Sequence, residues 1–367
     1  MKLIISRSEL VSLIGKIQSV VPSKPAIPVL SNVLLEAQDG QLIMSATDLT
    51  VSMRAFTDAK IMKEGAIALP ARRFFQLIRE LTVPQIRIEC DADGIATIIA
   101  GTSEFKLNGM NKSEFPSLPD LSSVASFAIE SDLLKDMLYR TSFAAARDDS
   151  RQVLNGIYTE IEGNRLTFIG TDGKRLAKIH HTIGFEMAKK THFIIPLKAV
   201  EEMTKILDAD KKTKFSIMSD KIGIEVGSIC LITKLLAGQY PDTDRVIPSQ
   251  KAMKSITLHK EELTTLLKQV SLFTSEMNHS VRFSFHEGQL RLQAVTNDIG
   301  EGKVNMPVNY HESKLDIAFN PYFFIDILKH CKDETATFGV TDSYNPGLIT
   351  DSTSAEYVIM PMRLTNE

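Results

Sequence analysis

Val33-Leu34-Leu35-Glu36-Ala37, Gln38-Asp39-Gly40 and Gln41-Leu42-Ile43-Met44-Ser45 read as two short β-prone runs around an Asp-Gly turn, closed by Thr47-Asp48. An Asp-Gly pair between two such runs is a strong hairpin signal, because both turn positions need φ > 0. The phrase returns as Ile157-Tyr158-Thr159-Glu160-Ile161, the turn Glu162-Gly163-Asn164 and Arg165-Leu166-Thr167-Phe168-Ile169, ending in Thr171-Asp172. A third copy is Val281-Arg282-Phe283-Ser284-Phe285, Glu287-Gly288 and Gln289-Leu290-Arg291-Leu292-Gln293, ending in Asn297-Asp298. The closing aspartates lie 124 and 126 residues apart, a domain-sized period.

The flanking segments keep step. Ahead of each hairpin stand a short strand and an amphipathic helix, predicted over Ser8 to Val20, Ser131 to Ala145 and Lys260 to Val270. In the first, Leu10, Leu13, Ile14 and Ile17 recur at three and four residues and share one helical face. Behind each hairpin a strand leads into a second helix, over Pro70 to Leu81, Pro196 to Leu207 and Asn320 to Cys331. Pro70 and Pro196 suit a first helical turn, and Asn320 in the same slot suits an N-cap. A further hairpin closes each unit, with turns expected near Asp93-Gly94, Lys221-Ile222-Gly223 and Asn345-Pro346-Gly347. The fold class is therefore α+β, with each of three units holding two helices on mostly antiparallel sheet. Phe115-Pro116 and Tyr240-Pro241 mark linkers, which sets domains at 1–120, 121–250 and 251–367.

Composition narrows the function. Of 367 residues 43% are hydrophobic and 24% charged, which excludes a disordered chain. No apolar run is long enough to span a bilayer, and Met1 leads directly into a strand pattern, so a cytoplasmic protein without membrane partners is expected. Cys90, Cys230 and Cys331 are too far apart for metal spacing and odd in number, so three reduced thiols are expected, with neither metal nor cofactor. His180-His181 alternate across a strand and would face opposite sides. No Gly-x-x-x-x-Gly-Lys, Gly-x-Ser-x-Gly or His-Glu-x-x-His motif supports catalysis.

The net charge of −3 is unlike a basic module that grips DNA by affinity. Charge is segregated, however: with the third helix counted to Arg147 and the sixth to Lys332, the six predicted helices carry a net +4, leaving −7 on the rest of the chain. Helices lining a channel would attract phosphates while the other surfaces repel them; ordinary solvated helix faces meet the same count. Three like domains invite closure with a second chain. A 120-residue domain is about 35 Å across, and six in a ring leave a hole of about the same width, enough for a duplex.

In this order and spacing, several phrases resemble the bacterial DNA polymerase III beta subunits, the sliding-clamp family, over the whole length. They are Ile27-Pro28-Val29-Leu30-Ser31-Asn32, Ala46-Thr47-Asp48-Leu49, Pro70-Ala71-Arg72-Arg73-Phe74-Phe75, Leu154-Asn155-Gly156, Thr171-Asp172-Gly173-Lys174-Arg175-Leu176 and the closing Tyr357-Val358-Ile359-Met360-Pro361-Met362-Arg363-Leu364. The resemblance implies a non-catalytic processivity factor: a head-to-tail homodimer whose six domains encircle duplex DNA without reading its sequence. It also implies partnership with the replicative polymerase alpha subunit, the clamp loader and other proteins bearing a clamp-binding motif.

Carried over residue by residue, the family's peptide cleft falls on Arg151, Leu154, Thr171, Gly173, Lys174, Arg175, Leu176, Pro241, Arg245, Val246, Asn320, Phe323, Val358, Met360, Pro361, Met362 and Arg363. Leucines and methionines from separated segments suit an adaptable apolar groove. Pro361 argues against a fully paired central strand and for an edge or a groove. DNA contact is implied for Lys24, Arg72, Arg73 and Lys198, and the helix charges add Arg79 and Arg147. The dimer seam is implied at Phe105 and Leu107 against Leu272 and Phe273, four residues that their own domains could equally bury. Thr47-Asp48 and Asn297-Asp298 read as plain turns, since only the second copy continues into Lys174-Arg175-Leu176. Lys174 stands where many relatives carry His, Asn278 where some carry an aromatic at the cleft margin, and Leu197 where a basic residue precedes Lys198; Thr365-Asn366-Glu367 extend past the usual terminus. Two rival readings are a repeated α+β enzyme and a monomeric DNA binder with steeply salt-dependent affinity.

Overall fold

Asp39 and Gly40 adopt φ of +50° and +75°, and the hairpin they close is the first of three built alike. The computed structural model describes residues 1–25, 27–91, 93–121, 124–249 and 253–364; the expected boundary at residue 250 and the Thr365-Asn366-Glu367 extension lie outside these. The first repeat runs β1 (Lys2–Ser6), α1 (Arg7–Ile17), β2 (Asn32–Gln38), β3 (Gln41–Thr47), β4 (Val51–Asp58) and β5 (Lys60–Lys63). It continues through β6 (Gly65–Pro70), α2 (Ala71–Glu80), β7 (Gln85–Cys90), β8 (Ile95–Ala100) and β9 (Ser103–Asn108). The second comprises β10 (Ser126–Glu130), α3 (Ser131–Ser142), β11 (Gly156–Thr171), β12 (Arg175–Pro196), α4 (Leu197–Ile206), β13 (Lys212–Ile217), β14 (Lys221–Val226) and β15 (Ile229–Lys234). The third opens with β16 (Lys254–His259), α5 (Lys260–Ser271), β17 (Val281–His286), β18 (Gln289–Thr296) and β19 (Gly300–Pro307). It ends with β20 (Leu315–Phe319), α6 (Pro321–His330), β21 (Thr335–Val340), β22 (Gly347–Thr350) and β23 (Glu356–Ile359).

All six predicted helices form. On α1 the stripe Leu10, Leu13, Ile14 and Ile17 is buried, and Ser6 caps the helix by accepting the Glu9 N–H. Asn320 caps α6 by accepting the Tyr322 N–H, with Pro321 at the first helical position. Pro70 and Pro196 stand one position earlier than expected: each ends a strand directly before its helix, Pro70 as the N-cap of α2. Pro70 has an extended ψ of 104°, which the proline ring tolerates at a strand end.

The wiring repeats. β2 pairs with β3 and β6, and β3 with β4; β17 pairs with β18 and β20, and β18 with β19, all antiparallel. In the second repeat the register against β12 breaks on both sides of Gly163, whose φ is +59° at the predicted turn. The leg before that bend pairs with the end of β12 and the leg after it with the start, matching the partners of β2 and β3. The turn expected near Lys221-Ile222-Gly223 falls just before these residues, between the end of β13 at Ile217 and the start of β14 at Lys221, so the three residues themselves open β14. Gly223 is there because Leu121 lies against the backbone where a Cβ would stand, so it serves close approach.

The sheets cross repeat boundaries. One eight-stranded sheet runs β10-β13-β14-β15-β4-β3-β2-β6, and a six-stranded one runs β11-β12-β23-β22-β21-β16. Consequently the chain divides into two compact units, Met1–Lys135 with Lys198–Leu235 and Asp136–Leu197 with Leu236–Glu367, so the middle repeat contributes to both. A five-stranded sheet β5-β1-β7-β8-β9 and a four-stranded sheet β19-β18-β17-β20 complete the fold. Aromatic packing anchors the third repeat, with Phe283, Phe319, Phe324 and Phe338 fully buried. Cys90, Cys230 and Cys331 are all unbridged, and burial raises their thiols to about 11, 11 and 12. No helix among the described residues is long and apolar enough to cross a membrane.

Candidate functional site

The Thr171-Asp172-Gly173 corner between β11 and β12 is held by its own polar atoms. The Thr171 hydroxyl donates to the Arg175 carbonyl at 2.6 Å and accepts the Gly173 N–H at 3.1 Å. Asp172 Oδ1 accepts the N–H groups of Lys174 and Arg175 at 2.9 and 3.0 Å. Gly173 sits at φ +81°, a conformation glycine adopts without steric cost, and the Arg151 guanidinium lies over its Cα. Arg175 braces the corner from within. It donates to Asp172 at 3.2 Å and to Asp326 at 2.6 Å, and its guanidinium lies 4.6 Å from the Phe323 ring centre and 5.4 Å from that of Phe143.

Beside this corner opens a cavity of about 140 Å³. Its floor is apolar: Leu154, Leu176 and Val358 are buried in one cluster with Ile169, Ile194 and Tyr240. The register sets Leu176 against Val358 and Arg175 against Ile359, and the Met360 N–H continues the ladder to the Lys174 carbonyl at 2.9 Å. Val246 and Met360, 42% and 40% exposed, form an apolar rim that solvent reaches. Tyr240 stacks on Tyr158 at 5.0 Å and holds Pro241 against the opening. Arg151 binds Asp149 through two bonds of 3.0 Å, which hold the Asp149 carboxyl down at about 2.

Ten of the expected cleft residues line this cavity: Arg151, Leu154, Thr171, Gly173, Arg175, Leu176, Pro241, Val246, Val358 and Met360. Seven do not. Phe323 stacks under Arg175, Asn320 caps α6, Lys174 contributes its carbonyl to the ladder, and the exposed Arg245 pairs with Asp242 at 2.8 Å. Past Ile359 the chain leaves β23, and the Met362 N–H reaches the Ala318 carbonyl at 2.7 Å, carrying Pro361, Met362 and Arg363 toward β20. The expectation of an edge strand is corrected as well: β23 lies between β12 and β22, and Pro361 falls just beyond it, where no ladder N–H is required. Asp242 and Thr243 line the cavity and were not anticipated, although they follow Pro241 directly. Asn278 lines a separate, polar cavity of about 580 Å³ with Thr296 and Asn297.

Among the expected DNA contacts, Arg72, Arg73 and Arg79 project from the exposed side of α2, and Lys24 is exposed in the segment between α1 and β2. Arg79 also donates to Gln18 at 3.0 Å. Lys198, near the start of α4, is ion-paired to Asp48 of the first Thr-Asp corner. Those residues belong to the first unit, and Arg147, exposed after α3, belongs to the second. Of the expected seam residues, Phe105 and Leu107 lie on β9, an outer strand of its sheet, with Phe105 37% exposed. Leu272, 73% exposed, follows α5, and Phe273 covers Gly302 on the outer strand β19. Their own domains therefore do not fully bury these four. No cluster of metal-ligating side chains occurs among the described residues.

Three family models match in succession, the N-terminal, central and C-terminal domains of the DNA polymerase III beta subunit, over residues 1–119, 128–242 and 244–363. The beta sliding clamp of Chlamydia muridarum is 49% identical over 367 residues, covering 100% of both chains. That of Escherichia coli K12 is 32% identical, covering 99% of this chain and 100% of the relative. The crystal structure of the DNA polymerase III subunit beta from Pseudomonas aeruginosa superposes with a TM-score of 0.95 at 28% identity, over 99% of this chain and 100% of that one. The DNA polymerase sliding clamp from Bacillus subtilis gives 0.95 at 25% identity, covering 100% of both. With three domain models in order and relatives aligned end to end, the chain belongs to the DNA polymerase III beta subunit family.

Proposed function

We propose that this chain is a DNA sliding clamp, a processivity factor that encircles duplex DNA as a head-to-tail dimer and tethers the replicative polymerase through the groove beside Thr171-Asp172-Gly173. Its part is non-catalytic, as in the rest of the family. The observation that carries the reading is that groove: a buried floor of Leu154, Leu176 and Val358 with an adaptable rim of Val246 and Met360, sized for one or two apolar side chains of an extended motif. Polymerase alpha subunit, clamp loader and other motif-bearing proteins would compete for it.

Two outer strands support closure by a second copy. β9 and β19 are the outermost strands of their sheets, and a heterologous contact between them would make a closed ring. Phe105 and Leu107 would meet the Leu272 and Phe273 region across that seam, joining clamp domains divided near residues 120 and 250. Lys24, Arg72, Arg73, Arg79, Arg147 and Lys198 would supply a weak field for phosphates, with retention arising from linkage and not from affinity.

The test is retention after loading. The protein should persist on nicked circular DNA and slide off the same DNA once linearised; equally rapid loss from both overturns the linkage mechanism. For the groove, Met360→Ala and Met362→Ala should weaken binding of a motif peptide while the dimer persists by light scattering. Loss of the dimer in either variant overturns the assignment of that terminal segment to peptide binding.

A further inference from the structure

The first Thr-Asp corner is built like the second. The Thr47 hydroxyl donates to the Val51 carbonyl at 3.1 Å and accepts the Leu49 N–H at 3.0 Å, and Asp48 Oδ1 accepts the N–H groups of Thr50 and Val51 at 2.9 and 2.7 Å. The neighbouring strand joins it in the same way: Ile232 faces Ser52 as Val358 faces Leu176, and the Lys234 N–H meets the Thr50 carbonyl at 2.9 Å as that of Met360 meets Lys174. The linker matches too, since Phe115 is buried ahead of Pro116 as Tyr240 is ahead of Pro241. Beside this corner lies a cavity of about 180 Å³ that the reading above leaves unused. The third corner is wired differently: Asn297 takes the place of the threonine, and the hydroxyl of the preceding Thr296 donates to the Phe273 carbonyl.

The lining has changed at the positions that matter. Leu176 in the floor becomes Ser52, and the apolar rim residue Met360 becomes Lys234. At the third altered position Gly173, covered by Arg151, becomes Leu49, which holds φ +74° and is 41% exposed. A leucine in the left-handed region costs about 1–2 kcal/mol, so an exposed, strained apolar side chain stands on the mouth of this cavity. Lys234 and Lys221 are paired directly across β14 and β15, and like charges in that register repel. Among the described residues Lys221 has one ion-pair partner, the exposed Asp220 at 3.6 Å, and Lys234 has none. A carboxylate held between the two lysines would remove their repulsion.

We infer that the first corner is a second docking groove, which takes an extended acidic peptide with an apolar side chain against Leu49, Leu118 and Ile232 and its carboxylates between Lys221 and Lys234. A peptide fits better than nucleic acid because the wall sets the apolar Leu49, Pro116, Leu118, Pro119 and Ile232 among the small hydroxyls of Thr47, Thr50, Ser52 and Ser117, with the two lysines as its only charges. The choice of a peptide rests on the reading of the second corner; the site itself rests on the repeated wiring.

The probe is a labelled hexapeptide of two leucines and four glutamates, with a lysine-for-glutamate twin as control, titrated into the full chain and followed by methyl NMR. The acidic probe should shift the Leu49, Leu118 and Ile232 methyls saturably, the twin should not, and Lys234→Glu should weaken binding about tenfold. Met360→Ala should leave it unchanged. The proposal is overturned if those methyls stay still, if Lys234→Glu binds equally, or if a short DNA duplex shifts them more than the probe. Loss of the probe in Met360→Ala alone assigns it to the second corner and overturns only the present site. A motif peptide that ignores Met360→Ala while the acidic probe behaves as described overturns only the second-corner groove.

Discussion

The first and second Thr-Asp corners share a backbone and differ in what fills it. Both use a threonine hydroxyl and an aspartate to satisfy four main-chain groups within five residues, so the turn is set locally. The second is seated on a buried leucine and braced by a nearly buried arginine held between two carboxylates, one of them on α6. The first is seated on Ser52 and joined to a half-exposed Lys198. A shared turn geometry thus carries two chemistries, one apolar and rigidly braced, the other cationic and loosely held.

The largest expected difference lies in the floors. Leu176→Ala should cost about 3 kcal/mol in urea unfolding, through lost burial and the cavity left behind, while Ser52→Ala should cost about 1 kcal/mol through its bond to Thr47. Equal costs would mean that the two corners are equally packed. Next come the braces. Arg175→Ala should destabilise by about 2–3 kcal/mol, because Asp172 and Asp326 lose a desolvated partner. Lys198→Ala, removing a pair whose lysine is 48% exposed, should cost under about 1 kcal/mol and lower the salt slope of DNA binding by about 1. A loss in Lys198→Ala as large as in Arg175→Ala would erase the distinction.

Exchanging the left-handed residues sharpens the comparison further. Gly173→Leu should cost about 1–2 kcal/mol and shade the groove from peptide. Leu49→Gly should change stability by less than about 1 kcal/mol, since released strain is offset by the entropy of glycine. Thermal unfolding of the pair checks the sign, and destabilisation by Leu49→Gly beyond that range would show that the leucine packs. The smallest effect is electrostatic. Bonds from Arg151 hold Asp149 at about 2, so the contribution of that pair is present above the ordinary carboxylate range near 3.8 and disappears as pH falls through 2. A carboxyl titration by NMR should find Asp149 back near 3.8 in Arg151→Ala, and an unchanged value would assign the depression to another group.

Much of this was legible in residue order. The six helices follow from apolar spacing and caps, and α1 buries the stripe read from its period. Where the reading failed, a neighbour distant in sequence was responsible. Gly223 looks like a turn until Leu121 is seen covering it, and Pro361 looks like an edge marker until β23 is seen to stop at Ile359 with strands on both sides. Asp242 and Thr243 escaped notice because nothing in their own residue types distinguishes a linker from a groove wall.

Local physics acts over a few residues, and within that range the order of amino acids determined the repeat, the helices and the polar corners, whereas the ten lining residues of the groove came from the resemblance to the sliding-clamp family. Only the tertiary structure decided which strands join across repeats, and hence that the middle repeat is shared between two compact units. Pairing of β4 with β15 and of β12 with β23 brings together residues more than a hundred positions apart. Their register is chosen by which side chains can share a floor, a property of two surfaces together that neither segment carries alone.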